Sequence, residues 1–204
     1  MWKGLPQEDR GRYSFQLQNT LEGHEGAVTA VRVTSDGNKA VSTSGDRVVK
    51  RWNLDTGDED LTFNGLASGA SKFQLMKQGD GILAACSDGT IRIYDLQNEV
   101  EEMCLEDHTN VVSAVWTQPD SSDDFSKTII VSASYDGTVR QWAKPDRGPG
   151  DFRNIRTFSF QDEVADGKKV NPNYCGRVYD MVVDEKESRI YACGEAKEIV
   201  LWEM

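Results

Sequence analysis

An all-β fold assembled from a repeated antiparallel unit is what this sequence predicts, and three observations predict it. A short pattern recurs four times, as STSGDRVVKRWN (residues 42–53), AACSDGTIRIYD (84–95), SASYDGTVRQWA (132–143) and ACGEAKEIVLWE (192–203). An aromatic side chain stands at the same place in each copy, at Trp52, Tyr94, Trp142 and Trp202, with spacings of 42, 48 and 60 residues. Apolar residues alternate with a period of two, and helical periodicity is almost absent.

Within each copy, small residues alternate into a strand, an Asp or Gly forms a turn, and a β-branched alternating strand follows, which describes a hairpin. A further strand precedes three of the copies, in GAVTAVRV (26–33), NVVSAVWT (110–117) and GRVYDMVV (176–183). Polar-apolar alternations such as EVEEMCLE (99–106) and FRNIRTFSF (152–160) supply a fourth. One such four-stranded sheet has two faces to cover, so units must stack on one another. Radial stacking at a period of about 40 to 45 residues gives a β-propeller. The prediction is a propeller, or part of one, over residues 1–204. Residues 1–23 form the end of a preceding blade or a closing outer strand, and blades follow at 24–66, 67–107, 108–160 and 161–204.

The motifs are similar to those of the WD-repeat family. Gly23-His24, Asp46 and Trp52 carry the resemblance in one copy, and His108, Asp136 and Trp142 in another, with Asp107 in place of the usual Gly. The resemblance implies a hydrogen-bonded network of His, Ser, Asp and Trp. It falls on His24, Ser42 or Ser44, Asp46 and Trp52, and on His108, Ser132 or Ser134, Asp136 and Trp142. The chemistry is consistent, because a buried indole N–H, imidazole and carboxylate each need a partner and a closed network supplies them. The second copy has Tyr94 for Trp and no His, and the fourth has Ala196 at the turn Asp, so packing alone is expected to hold those blades.

Four copies are fewer than the family's usual number of about seven, while propellers in general use four to eight blades. Tyr13–Gly23 (YSFQLQNTLEG) fits an outer strand that closes the last blade. Alternatively Trp2, followed by a polar Pro-Gly loop, is the tail of a preceding third strand, and the chain is the C-terminal part of a longer propeller. Self-association of two chains into eight blades, a closed four-bladed ring, and completion by a different subunit are the remaining readings.

Asp and Glu number 34 against 23 Lys and Arg, a formal charge of −11. Such a surface repels phosphate backbones and anionic lipid, which argues against nucleic acid as a partner. No apolar run approaches the roughly 20 residues needed to span a bilayer, and no signal core opens the chain, so no membrane insertion is expected. Cys86, Cys104, Cys175 and Cys193 have no C-x-x-C pairing and read as reduced core residues. The expected location is intracellular and cytoplasmic, with nuclear, cytoskeletal and ciliary sites left open.

Both histidines are absorbed by the structural networks, leaving none for a triad or a zinc site. No phosphate-cradling glycine motif appears. Acidic runs such as DTGDED (55–60) lack a calcium loop's spacing and read as solvated turns. No enzyme, cofactor or metal is therefore expected.

The resemblance implies instead a scaffold that binds other protein subunits of an intracellular complex through its loops. Recognition of a modified peptide and a place in a nucleic-acid-associated assembly are the alternatives. Binding hot spots favour aromatic and Arg side chains. Tyr135 stands in a turn where Gly45, Ser87 and Glu195 occupy the other copies, and is the leading contact candidate. Arg47 is a second, and Lys168, Lys169 and Tyr174 lie in an insertion on the same face.

Overall fold

The computed structural model describes residues 16–118, 128–144, 151–159, 176–195 and 199–204. Among these it has fifteen strands and a single short 3-10 turn, Lys77–Gly79, with no α-helix. The first sheet comprises β1 (Val28–Val33), β2 (Lys39–Ser44), β3 (Val49–Asn53) and β4 (Glu59–Phe63) in sequential order. The second comprises β5 (Ala70–Met76), β6 (Gly81–Cys86), β7 (Thr90–Asp95) and β8 (Val100–Glu106). The third comprises β9 (Val112–Thr117), β10 (Ile129–Ser134), β11 (Thr138–Ala143) and β12 (Arg153–Ser159). The fourth has β13 (Val178–Asp184), β14 (Arg189–Gly194) and β15 (Ile199–Glu203). All pairings are antiparallel, as expected of propeller blades.

The repetition extends to irregularities. In every sheet one residue of the first strand is skipped in the pairing with the second: Thr29, Ser71, Ser113 and Tyr179. A bulge of this kind sharpens the local twist. The aromatic of the third strand marks a second irregularity, at Trp52, Tyr94 and Trp142.

Three apolar clusters tie the sheets into a series. Val41, Val49 and Phe63 of the first sheet meet Phe73, Ile82 and Tyr94 of the second. Leu83, Ile91 and Ile93 on the other side of the second meet Ile130 and Trp142 of the third. Val131, Ala133 and Val139 then meet Met181, Ile190 and Trp202 of the fourth. Each of Tyr94, Trp142 and Trp202 therefore faces the preceding blade. No cluster of the described residues joins the fourth sheet to the first.

The first strands run side by side and are stitched by short side chains. The hydroxyl of Thr29 donates to the Ala70 carbonyl at 2.9 Å, that of Ser71 to Val112 at 2.6 Å, and that of Ser113 to Val178 at 2.6 Å. Further along, the Gln74 amide makes two bonds of 2.8 Å to the backbone of Thr117. Lys72 of β5 reaches Asp180 of β13 at 2.6 Å.

Several sequence expectations need correction. β5 was hidden, because its apolar positions Phe73 and Leu75 alternate with Lys72 and Gln74 and no His or Gly-His pair announces it. Residues 16–22, expected within an outer strand, form none, and Tyr13–Phe15 lie outside the described residues. The acidic run at 55–60 is only half a turn: Glu59 and Asp60 open β4, where Glu59 pairs with Lys50 and Asp60 with Lys39 and Arg51. Cys86 is buried as expected, whereas Cys104 is half-buried and Cys193 is exposed on β14. Cys175 lies outside the described residues.

Candidate functional site

The turns between second and third strands gather on one face, together with the loops that link successive blades. In the first blade, Trp52 Nε1–H donates to Ser42 Oγ at 2.8 Å, and Ser42 Oγ lies 2.8 Å from His24 Nε2. His24 Nδ1 lies 3.0 Å from Asp46 Oδ2. An indole can only donate and a carboxylate can only accept, so with a neutral imidazole the protons run one way: Trp to Ser, Ser to His, His to Asp. The third blade repeats this with Trp142, Ser132, His108 and Asp136 at 2.8, 2.8 and 2.7 Å.

The neighbouring serines have a different task. Asp46 N–H donates to Ser44 Oγ and Asp136 N–H to Ser134 Oγ, so these hydroxyls brace the turn while Ser42 and Ser132 serve the indole. Sequence left that choice open because both serines of each pair share a face of the strand.

Each aspartate also grips the loop before the blade. Asp46 Oδ2 accepts the Glu25 and Gly26 amides, and Asp136 Oδ2 accepts the Thr109 amide. A Cβ at Gly26 would stand 2.7 Å from the Asp46 nitrogen, so glycine permits this approach. Burial works against the Asp46 carboxylate, but hydrogen bonds from His24 and the Val48 and Glu25 amides outweigh it and bring its pKa to about 2. Asp136 is likewise desolvated, yet His108 and Thr138 hold it well below the usual range.

The second blade keeps the turn aspartate, Asp88, which accepts the Thr90 amide, but lacks the His, Ser and Trp, and uses Tyr94, fully buried, whose hydroxyl accepts the Ala67 amide at 3.3 Å. Tyr94 also packs on Phe63 at 5.4 Å between ring centroids. At the serine position the second and fourth blades carry Ala84 and Ala192, opposite Arg92 and Val200. Ala196 lies outside the described residues.

On this braced face, Tyr135 is partly exposed, and its ring meets Tyr179 edge-on at 5.7 Å. The Arg177 guanidinium lies 5.9 Å from the centroid of Tyr135 and 3.8 Å from Glu195. Tyr179 occupies the bulge position that the other blades give to Thr29, Ser71 and Ser113. Sequence reasoning missed Tyr179 and Arg177, although aligning the first strands would have shown a Tyr where small hydroxyl residues recur. Arg47 is exposed and has a φ of 64°, at a turn position where Gly89 and Gly137 have 89° and 86°. Lys168, Lys169 and Tyr174 lie outside the described residues.

Among the described residues no group of three or more His, Cys, Asp or Glu is placed to hold a metal, and no helix is long and apolar enough to cross a membrane. The Cys86 thiol is pushed up to about 12, by burial first and by Asp88 second, which keeps it protonated and unreactive.

A series of four-stranded blades with His-Ser-Asp-Trp networks defines a WD-type propeller architecture. Comparison with known proteins agrees: the family described as "WD domain, G-beta repeat" matches residues 15–53, 73–95 and 100–143, more than half of the sequence. The chain belongs to the WD-repeat family. It is 30% identical over 133 residues to a probable coatomer subunit beta' of Schizosaccharomyces pombe, covering 63% of this chain and 16% of that protein. It is 33% identical over 125 residues to the serine-threonine kinase receptor-associated protein of Gallus gallus, covering 60% and 33% respectively. A ribosome biogenesis protein WDR12 homolog of Chlamydomonas reinhardtii is 29% identical over 128 residues, with 60% and 27% covered. The aligned part thus spans a third or less of each relative's length.

Proposed function

We propose that this chain is a non-catalytic scaffold of an intracellular multi-subunit assembly, binding other proteins through the face that carries Arg47, Tyr135, Arg177 and Tyr179. The observation behind this reading is the meeting of Tyr135 and Tyr179, each an aromatic where the repeat elsewhere uses small or polar residues. A folded blade does not need either, and aromatic and Arg side chains are the types that dominate binding energy at interfaces. Arg47 adds to it, since a non-glycine residue keeps a left-handed backbone there at some cost. Lys168, Lys169 and Tyr174 belong to the same surface in this reading, and the blades run 24–66, 67–107, 108–160 and 161–204. The names of the relatives, a coatomer subunit and a receptor-associated protein among them, accord with work inside assemblies.

The test is quantitative affinity purification with the tagged chain and its Tyr135→Ala and Arg177→Ala variants, each checked by thermal melting. Partners retained by the parent should be depleted about 10-fold or more by either substitution, the loss of a typical interface anchor. The melting temperature should stay nearly constant, because neither side chain is core. An unchanged partner set with both variants folded would remove this face from the interaction.

A further inference from the structure

The outer strands of the first three blades differ in the sign of their charge. β4 has Glu59 and Asp60, and β8 has Glu101, Glu102 and Glu106, with no Lys or Arg in either. β12 has Arg153 and Arg156 and no carboxylate. The exchange is position by position. Each outer strand has one residue skipped in its pairing with the third strand, and those residues are Asp60, Glu102 and Ile155. Asp60 holds Lys39 and Arg51 at 2.9 and 2.8 Å, and Glu102 holds Lys77 at 2.7 Å. The residue before the bulge is Glu59, Glu101 or Asn154, and the two glutamates hold Lys50 and Arg92. In the third blade both acids are absent, and Ile155 stands 57% exposed in place of an ion-paired carboxylate.

The register sets where the two arginines point. Arg153, Arg156 and Phe158 pair with Ala143, Gln141 and Val139, and through them with Ile129, Val131 and Ala133. Directly paired residues share a face of a sheet, and Ile129, Val131 and Ala133 face the fourth blade. Because Ile155 is skipped, Arg153 and Arg156 fall on that one face although three positions apart. Both are exposed; the Arg156 guanidinium lies 5.2 Å from the Phe158 centroid and donates to the Glu203 carbonyl at 3.3 Å. Among the described residues no carboxylate pairs with either, in a chain of formal charge −11. β12 ends the order of its sheet, so its outer backbone edge pairs with no strand of the described residues.

We infer that the outer edge of β12 takes an acidic, extended segment of a partner protein as an added strand. Three properties select that occupant. An unpaired edge offers its N–H and C=O groups to another backbone. Arg153 and Arg156 pair with residues two apart on β11, so carboxylates at alternate positions of the added strand match them. The acidic edges of β4 and β8 repel the same segment, which confines it to the third blade. Ile155 supplies an apolar contact beside the charges. A nucleic acid would use the arginines but neither the backbone edge nor Ile155. The edge lies on the outermost strand, whereas Tyr135 stands in the turn between β10 and β11, so this surface is separate from the partner-binding face proposed above.

Fluorescence anisotropy on the purified 204-residue chain tests this, with a labelled peptide of alternating Glu and Val as long as β12. Saturable binding is expected, weakening as salt is added. Arg153→Glu combined with Arg156→Glu should lower the affinity about 10-fold or more, and the melting temperature should hold because both side chains are exposed. A peptide with Lys in place of Glu should not bind. The Glu peptide methylated at every backbone nitrogen keeps its charge but cannot pair with an edge, so it should lose most of its affinity. No saturable binding, binding that the double substitution leaves intact, full affinity of the methylated peptide, or preference for a single-stranded DNA oligonucleotide would overturn the inference. Tyr135→Ala should bind the peptide as the parent does, so the two surfaces stand or fall separately.

Discussion

Ser132 is the hinge of its network, since its one hydroxyl receives the Trp142 indole proton and meets His108. Removing it leaves two buried polar groups short of a partner, which costs about 1–3 kcal/mol. Trp142→Ala removes the same bond and opens a cavity in the cluster with Leu83, Ile91 and Ile93, at about 3–5 kcal/mol. Urea unfolding should rank the two in that order, and equal values would mean the indole contributes little by packing. The carboxylates set the pH response. Asp46 and Asp136 are held below the unfolded value of about 3.9, so their contribution is complete above pH 4 and fades as pH falls through the folded values, about 2 for Asp46. Melting temperatures between pH 5 and 2 should fall steeply, and less so for Asp136→Asn, which is less stable at the start. The His, Asp and Trp of each network came from the resemblance to the WD-repeat family, whose motif residues fall on His24, Asp46 and Trp52 and on His108, Asp136 and Trp142. The division of labour between Ser42 and Ser44 was not readable, because strand alternation cannot tell two residues on one face apart.

Networks are not the only way to hold a blade. The sequence leaves the second blade, which lacks His and Trp, to packing alone, and all six residues of β6 are buried, with apolar clusters on both sides. Position in the series supplies what the missing network does not. Hydrogen exchange should therefore find the β6 amides protected at least as strongly as those of β2, which belongs to a networked blade with an open neighbour. Faster exchange in β6 would show that the His-Ser-Trp chain outweighs packing. The hairpins were legible in the sequence because Asp-Gly turns between alternating strands are a local signal. β5 was not, since its strand character depends on Phe73 and Leu75 meeting the first blade, a contact no local pattern encodes.

At the scale of the entire chain, the repeat spacing announced a series of stacked sheets, and the structure has that series. What spacing could not reveal is where departures from the repeat converge in space. Tyr135 and Tyr179 lie in different blades and each looks like an isolated oddity in sequence; the fold brings their rings together. The exposure of Val31 on the first sheet and of Ile199 on the fourth was equally hidden, because both are ordinary strand residues whose burial depends on what stands beside the blade.

The cross-blade hydroxyls of Thr29, Ser71 and Ser113 act in a direction that apolar contact does not. Greasy surfaces resist being pulled apart but slide past one another with little penalty, and four plates joined only by such surfaces would shear along their common axis. One short directional bond per junction, placed at the innermost strand, arrests that slip. The turns of neighbouring blades then keep a constant height difference, and a partner that rests on two blades at once meets a surface of fixed relief.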